Sequence, residues 1–343
     1  MNRRRASVLL VILALAACLA LVLVLTRRQE SFGDAKDAKD TRDTTDTIFV
    51  SVASYRDVQC ADTVRDLFDK ADDPTRVFIG LCEQNSDDAS ESCVAPMLPK
   101  NVRRILIPHT DAKGPVYARY LCSTLYQGET WFMQIDSHTK MAKGWDTLAI
   151  SNATQCPSDK PILTHYPRII EELDQGHTGV PVLCRSTFDG HGVPTFESVI
   201  MDPRDDGEAR PVPFVSGGFV FGPGSLVHEV PYDPHLPYLF QGEEILHSAR
   251  LWTSGYDFFT PLDNIAFHQY ERPGPRFWND LPNYEEEQQR TMAKVRRLLG
   301  FEGPPMDGYR YGMGSHRSMD AYWKFAGIDP HKKSSMSERK FCV

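Results

Sequence analysis

The chain has 343 residues, with 38 Lys and Arg against 46 Asp and Glu, giving a net charge of −8. That length carries one large domain or two small ones. No basic face stands out, which argues against nucleic acid as a partner, and the composition is that of a globular protein.

The N-terminus differs from the rest. Residues 1–5 end in Arg3, Arg4 and Arg5, and 18 consecutive apolar residues run from Val8 to Leu25. Such a run just spans a bilayer as a helix, so residues 6–26 read as a transmembrane signal-anchor. The Arg cluster favours a cytoplasmic N-terminus. A cleaved signal peptide, or a lipoprotein signal at Leu15-Ala16-Ala17-Cys18, is the alternative. The apolar run continues seven residues beyond Cys18, which argues for an uncleaved anchor. Residues 27–47 are rich in Asp, Lys and Thr, have little to bury and read as a flexible stem. Residues 48–343 are then expected in the lumen of the Golgi or ER. Cys60, Cys82, Cys93, Cys122, Cys156, Cys184 and Cys342 lie beyond the anchor without a CxxC pair, which argues against a zinc ribbon. In an oxidising lumen some pair, and the odd count leaves one over. Asn152-Ala-Thr154 is the only glycosylation sequon.

Ile48 to Ser54 reads as a strand that ends at Tyr55-Arg56-Asp57. A helix is expected from Val58 to Lys70, with strands at Arg76–Cys82 and Val102–Ile107. Gly114-Pro115 opens a helix through Tyr126. Thr130 to Ile135 then forms a short buried strand whose polar end is Asp136-Ser137-His138. The order strand, helix, strand, strand, helix, strand predicts an α/β fold with a mostly parallel sheet flanked by helices. Parallel strands present functional groups at their carboxyl ends. Asp136 and His138, two residues apart there, suit a divalent ion such as Mn²⁺; a helix cap and a surface histidine are the plain alternative.

Farther on, Trp145–Ser151 reads as a helix and Pro161–His165 as a strand. Cys184 to Pro213 is rich in Gly, Pro and Asp and reads as a long mobile loop. Phe214 to Gly222 reads as a strand with Gly217 and Gly218 in its interior, which marks either a bulge or close approach of a ligand. Glu243 and Glu244 open a helix, where acids also suit the macrodipole. His268 follows the apolar Ile265-Ala-Phe267 and is a candidate third ligand for Asp136 and His138. Residues 282–343 read as a helical C-terminal part, with a charged helix from about Asn283 to Leu299, Gly300 as its C-cap, and a last helix from Ser318 to Ala326.

Four stretches carry a resemblance: Ile48-Phe-Val-Ser-Val-Ala-Ser-Tyr-Arg-Asp57, Asp136-Ser-His138, Phe240 to Trp252, and Gly308-Tyr-Arg-Tyr-Gly-Met-Gly-Ser-His-Arg-Ser318. From about Ile48 to Asp329 the chain resembles the polypeptide N-acetylglucosaminyltransferases whose founding members modify a hydroxyproline on a ubiquitin-ligase adaptor. It is more distantly similar to polypeptide N-acetylgalactosaminyltransferases. The resemblance implies a retaining, metal-dependent enzyme of GT-A fold that moves GlcNAc from UDP-GlcNAc to a Ser, Thr or hydroxyproline of a polypeptide. It implies Asp136, His138 and His268 as Mn²⁺ ligands, and Ser51, Ala53, Tyr55, Arg56 and Arg119 around the nucleotide. It also implies Gly217 and Gly218 under the donor sugar, and Glu243 on the sugar hydroxyls. Glu244 stands where the relatives have Asn, and Leu246 where they have a second Glu, which leaves the sugar open. In an inverting reaction Glu244 would be the natural general base. The competing readings are transfer of GalNAc or another hexose to a glycan or protein, a non-catalytic membrane-anchored lectin, and a metallohydrolase.

Overall fold

The computed structural model describes residues 46–94, 100–202, 204, 206–281 and 283–343. The expected anchor and nearly all of the stem lie outside the described residues. Among those described, no helix is long and apolar enough to cross a membrane. The strands are β1 (Ile48–Tyr55), β2 (Val77–Asn85), β3 (Val102–Pro108), β4 (Trp131–Asp136), β5 (Thr139–Met141), β6 (Pro161–Thr164), β7 (Arg168–Ile169), β8 (Val180–Phe188), β9 (Pro194–Met201), β10 (Arg210–Pro211), β11 (Phe219–Pro223), β12 (Asp257–Thr260) and β13 (Ala266–His268). The main helices are α1 (Cys60–Asp69), α2 (Pro115–Ser123), α3 (Trp145–Gln155), α4 (Glu243–Thr253), α5 (Tyr284–Leu298) and α6 (Met319–Ala326).

Eight strands form the central sheet in the order β10-β12-β6-β11-β4-β1-β2-β3. β1 pairs in parallel with both β2 and β4. Alternation along β1 divides the core. Ile48, Val50 and Val52 pack with Leu67 of α1 and with Trp145 and Ala149 of α3. Phe49 points the other way, into a core with Phe132, Ile245, Ala249 and Val295. A sheet covered on both faces needs nearly continuous apolar strands, and β1 is apolar or small throughout, with Ser51 and Ser54 also buried.

Two sequence expectations are corrected. The stretch Cys184–Pro213 is not a structureless loop, because most of it is the antiparallel hairpin β8–β9. Its glycines concentrate in the turn, where the Asp189 carboxylate accepts the backbone N–H groups of His191 at 2.9 Å and Val193 at 3.1 Å. Averaging the composition over 30 residues hides the β-branched and apolar residues Thr195, Phe196, Val199, Ile200 and Met201. Gly217 and Gly218 do not lie inside a strand; they form the bend that leads into β11.

Two disulfides, Cys60–Cys93 and Cys184–Cys342, tie α1 to the segment after β2 and the hairpin to the C-terminus. Cys82, Cys122 and Cys156 are free and buried, so three remain rather than one. Asn152 of the sequon is buried in α3, where its amide donates to Leu148 O at 3.0 Å and Asp263 Oδ2 at 3.1 Å. An asparagine so engaged offers no exposed acceptor for a glycan.

The Gly308–Ser318 stretch backs α4. Tyr309 donates its hydroxyl to Asp233 at 2.7 Å, Arg250 of α4 donates to Gly312 O at 3.3 Å, and Gly314 N–H donates to Thr253 Oγ1 at 2.8 Å. A methyl group on Gly314 would lie 2.5 Å from the Ser254 nitrogen, so only glycine passes this close to the end of α4.

Candidate active site

The carboxyl ends of β1 and β4 are neighbours, with Ala53 opposite Asp136. β11 runs antiparallel to β4 and pairs Phe219 with Ile135, so the bend before it brings Gly218 beside Asp136. After Asp136 the chain turns through Ser137 and His138 into β5. β13 pairs with β5, His268 opposite Thr139, which carries the second imidazole to the same corner. A cavity of about 970 Å³ opens there. It lies where an α/β sheet binds ligands, beyond the carboxyl ends of its strands.

One ligand atom each from Asp136, His138 and His268 lies within 4.8 Å of the others. An ion with bonds of about 2.1 Å spans donors up to about 4.2 Å apart, so a small contraction would seat one. One carboxylate with two imidazoles is a facial donor set that leaves coordination positions open for substrate oxygens. The residues fit a divalent cation. The His138 ring is aimed by a residue that sequence reading passed over. Its Nδ1 donates to the buried Asp57 carboxylate at 2.7 Å, which leaves Nε2 for an ion. Asp57 also accepts from Ser137 Oγ at 2.6 Å and from the Gln59 backbone N–H at 3.0 Å. Burial alone would raise its pKa, but the contacts with His138, Ser137 and Gln59 outweigh burial and hold it low. Asp57→Asn is expected to weaken Mn²⁺ binding by about 10–100-fold, the usual cost of losing such support. Calorimetric titration reads this directly; an unchanged affinity would remove Asp57 from the site.

Arg119, buried on α2, joins the two halves of the cavity. Its guanidinium donates to Glu243, to Asp136 Oδ1 at 3.2 Å and to Gly217 O at 2.8 Å. Burial opposes the cation, yet the charges of Glu243 and Asp136 prevail and raise its pKa. Asp136 responds in kind. Burial pushes its pKa up, but the His268 hydrogen bond and the Arg119 charge bring it well below the usual carboxylate range.

Glu243 and Glu244 have different surroundings. Glu243 faces Arg119. Glu244 accepts the Gly217 N–H at 2.7 Å and the Tyr166 hydroxyl at 2.6 Å, so each of its oxygens is already occupied. Burial pushes Glu244 up to about 7, against those two hydrogen bonds and with help from the Glu243 charge. Gly217 and Gly218 have no positive φ, so the backbone does not demand glycine. A methyl on Gly217 would instead reach toward Glu243 and Arg119, and one on Gly218 toward Asp136 and Pro167. The missing side chains keep that space open.

Most of the expected residues therefore meet: Asp136, His138, His268, Arg119, Gly217, Gly218, Glu243, Glu244, Ala53 and Tyr55 all line the cavity. Ser51 and Arg56 do not. Ser51 shares the face of Ala53 and Tyr55 but is buried deeper along β1. Arg56 turns away with φ 46° and pairs with Glu91 and Asp280. Beyond Asp57, sequence reading missed Tyr166, Tyr270 and Arg272, all on the cavity wall. The arginine in Gln269-Tyr-Glu-Arg272, just after a candidate ligand, was the available signal.

A family match makes the protein a glycosyltransferase, and its parallel-rich sheet is of the GT-A type. The chain belongs to the "Glycosyltransferase (GlcNAc)" family, whose profile matches residues 47–100 and 94–332. No curated protein matches the chain. Among solved structures it is similar to that of GalNAc-T7 with UDP, GalNAc and Mn²⁺, at 13% identity and a TM-score of 0.53. That match covers 88% of this chain and 57% of the other, so the chain spans little more than half its length. The structure of residues 1–349 of S. aureus TarS with UDP-GlcNAc gives 12% identity and a TM-score of 0.49, over 84% of this chain and 73% of the other.

Proposed function

We propose that this glycosyltransferase moves GlcNAc from UDP-GlcNAc to a Ser, Thr or hydroxyproline hydroxyl of a polypeptide, with retention of configuration and with Mn²⁺ or another divalent ion held by Asp136, His138 and His268. The observation that carries this reading is the meeting of that donor set with Arg119 and the open Gly217–Gly218 bend in one cavity. A bound ion would neutralise the diphosphate as it leaves. Arg272 offers a second positive charge: its side chain is nearly buried, its Nη1 has no hydrogen-bond partner among the described residues, and Asp57 is 3.9 Å away. The bond between the anomeric carbon and the phosphate oxygen breaks, and the acceptor oxygen bonds to the same face. The acceptor proton passes to the departing phosphate, and UDP is released. Incubating the protein with UDP-GlcNAc, Mn²⁺ and Ser, Thr or hydroxyproline peptides tests this. A peptide gaining one N-acetylhexosamine by mass supports it; sugar gained only by glycan acceptors rejects it.

We read Glu244 as the residue that holds the Gly217 bend, through the Gly217 N–H and Tyr166 hydroxyl bonds it accepts, and not as the general base of an inverting route. Glu244→Gln is therefore expected to lower kcat by less than about tenfold, whereas loss of a general base costs about 10²–10⁴. Steady-state kinetics on the variant, with the anomer of the product assigned by NMR, decides between them. The Asn-to-Glu and Glu-to-Leu departures at Glu244 and Leu246 are the specific reason to keep GalNAc or another hexose as a second donor.

We also infer that residues 6–26 anchor the chain and hold residues 48–343 in the Golgi or ER lumen. The two disulfides support an oxidising compartment. Protease added to intact microsomes should leave the catalytic part uncut until detergent is present. Digestion without detergent would reverse the orientation.

A further inference from the structure

β4 carries one polar side chain before Asp136. Gln134 is 1% exposed and stands two residues ahead of Asp136, so it shares that face of the strand. A buried amide costs stability unless both of its ends are satisfied. Gln134 meets that condition across the site. Its Nε2 donates to Gly217 O at 2.7 Å, and its Oε1 accepts the Tyr232 hydroxyl.

Both polar backbone groups of Gly217 are thereby held by side chains. Glu244 of α4 accepts its N–H at 2.7 Å, and its carbonyl accepts Arg119 of α2 at 2.8 Å as well as Gln134 of β4. Three elements converge on one residue of the bend. Of the three, Gln134 ties the bend to the strand that ends on Asp136.

Behind Gln134 stands a second pair. Tyr232 is buried and stacks on His247 of α4, with the rings 4.9 Å apart at 13°. His247 Nε2 lies 3.4 Å from the Tyr232 hydroxyl, and burial pushes the His247 pKa down to about 3, so the ring stays neutral. An amide can turn end for end with little change of shape. The reversed Gln134 would set oxygen against oxygen at Gly217. The Tyr232 hydroxyl, by donating to Oε1, fixes the end that faces the bend.

We propose that Gln134 and Tyr232 are positioning residues for transfer: they fix the Gly217–Gly218 bend against Asp136 and so set where the donor sugar lies relative to the ion. This rests on the reading of that bend as the place of the sugar. Both side chains lie behind the cavity wall rather than in it, so they act through Gly217 and not by contact with the nucleotide.

The test uses the full-length protein with Mn²⁺, following UDP release from UDP-GlcNAc and UDP-GalNAc by kinetics and the binding of UDP alone by calorimetry. Gln134→Met fills similar volume without the hydrogen bonds. It should lower kcat by about 10–100-fold, since a displacement of about 1 Å costs that much. The Kd of UDP, which lacks the sugar, should stay within about twofold. Tyr232→Phe should show the same split with a loss of about three- to tenfold, the worth of one hydrogen bond. Because Tyr232 acts through Gln134, the double variant should be no slower than Gln134→Met. Far-UV circular dichroism reports folding; if Gln134→Met does not fold, the split in Tyr232→Phe decides alone. An unchanged kcat, UDP affinity falling in step with kcat, or losses that multiply in the double variant would overturn the positioning role while leaving the donor site intact. A wild type that neither binds UDP nor turns over either sugar would instead overturn the donor reading, and this role with it.

Discussion

Replacing Arg119 by methionine is expected to abolish transfer and to destabilise the fold by about 3–5 kcal/mol, the usual cost of leaving buried charges without their partner. Among the described residues Arg119 is the one cation bonded to both Asp136 and Glu243, and it also holds the Gly217 carbonyl. Methionine fills similar volume, so the loss reports charge rather than a cavity. The pH dependence separates this account from simple loss of packing. Without the guanidinium, the buried Glu243 carboxylate and the half-buried Asp136 carboxylate lose their shared cation, and Glu243, already raised by burial, is pushed further above its unfolded value of about 4. A carboxyl raised in the folded state weakens folding as pH climbs from the unfolded value to the folded one. The deficit should therefore be larger at pH 7 than at pH 5. Urea unfolding of both proteins at the two pH values checks this; a deficit that does not change with pH would point to packing alone.

The second large effect belongs to Asp136. Asp136→Asn keeps the shape of the side chain and an oxygen for Arg119, but removes the negative charge from the donor set. Turnover of the nucleotide sugar should fall by more than about 100-fold, beyond the cost of disturbing a supporting residue alone. EDTA should bring the wild type down to a similar level, and should do little more to the variant. That lack of additivity is the informative part, because two treatments that remove the same ion cannot each remove it. A variant that remained sensitive to EDTA would show the ion bound elsewhere.

The core of the fold was legible because its signals are local. β1 and β4 are runs of apolar residues long enough for strands and too short for helices, and β4 ends on a polar pair where parallel strands present ligands. His268 was legible for a similar reason, as the polar residue closing an apolar triplet. The hairpin β8–β9 was not, because its turn and the segment after it supply most of the Gly, Pro and Asp of that stretch and mask the strand-forming Phe196, Val199 and Ile200 between them. Gly217 and Gly218 were noticed but assigned to a strand interior. Period-two reading does not see the bend, since neither residue takes the positive φ that would call for glycine. Asp57 could be quoted from its motif but not given a role, because its partner His138 is 81 residues away. Arg119, Glu243 and Glu244 entered through resemblance. Their meeting spans up to 124 residues of chain, and no pattern within a helix encodes such a pairing.

The most direct measurement is UDP release by the full-length protein from a panel of UDP-sugars, with Mn²⁺ and then with EDTA. UDP-GlcNAc should be turned over above the other donors, and that turnover should be lost when EDTA is added. Turnover indifferent to EDTA, or neither turnover nor binding of any UDP-sugar, would contradict a metal-assisted nucleotide-sugar site at Asp136, His138 and His268.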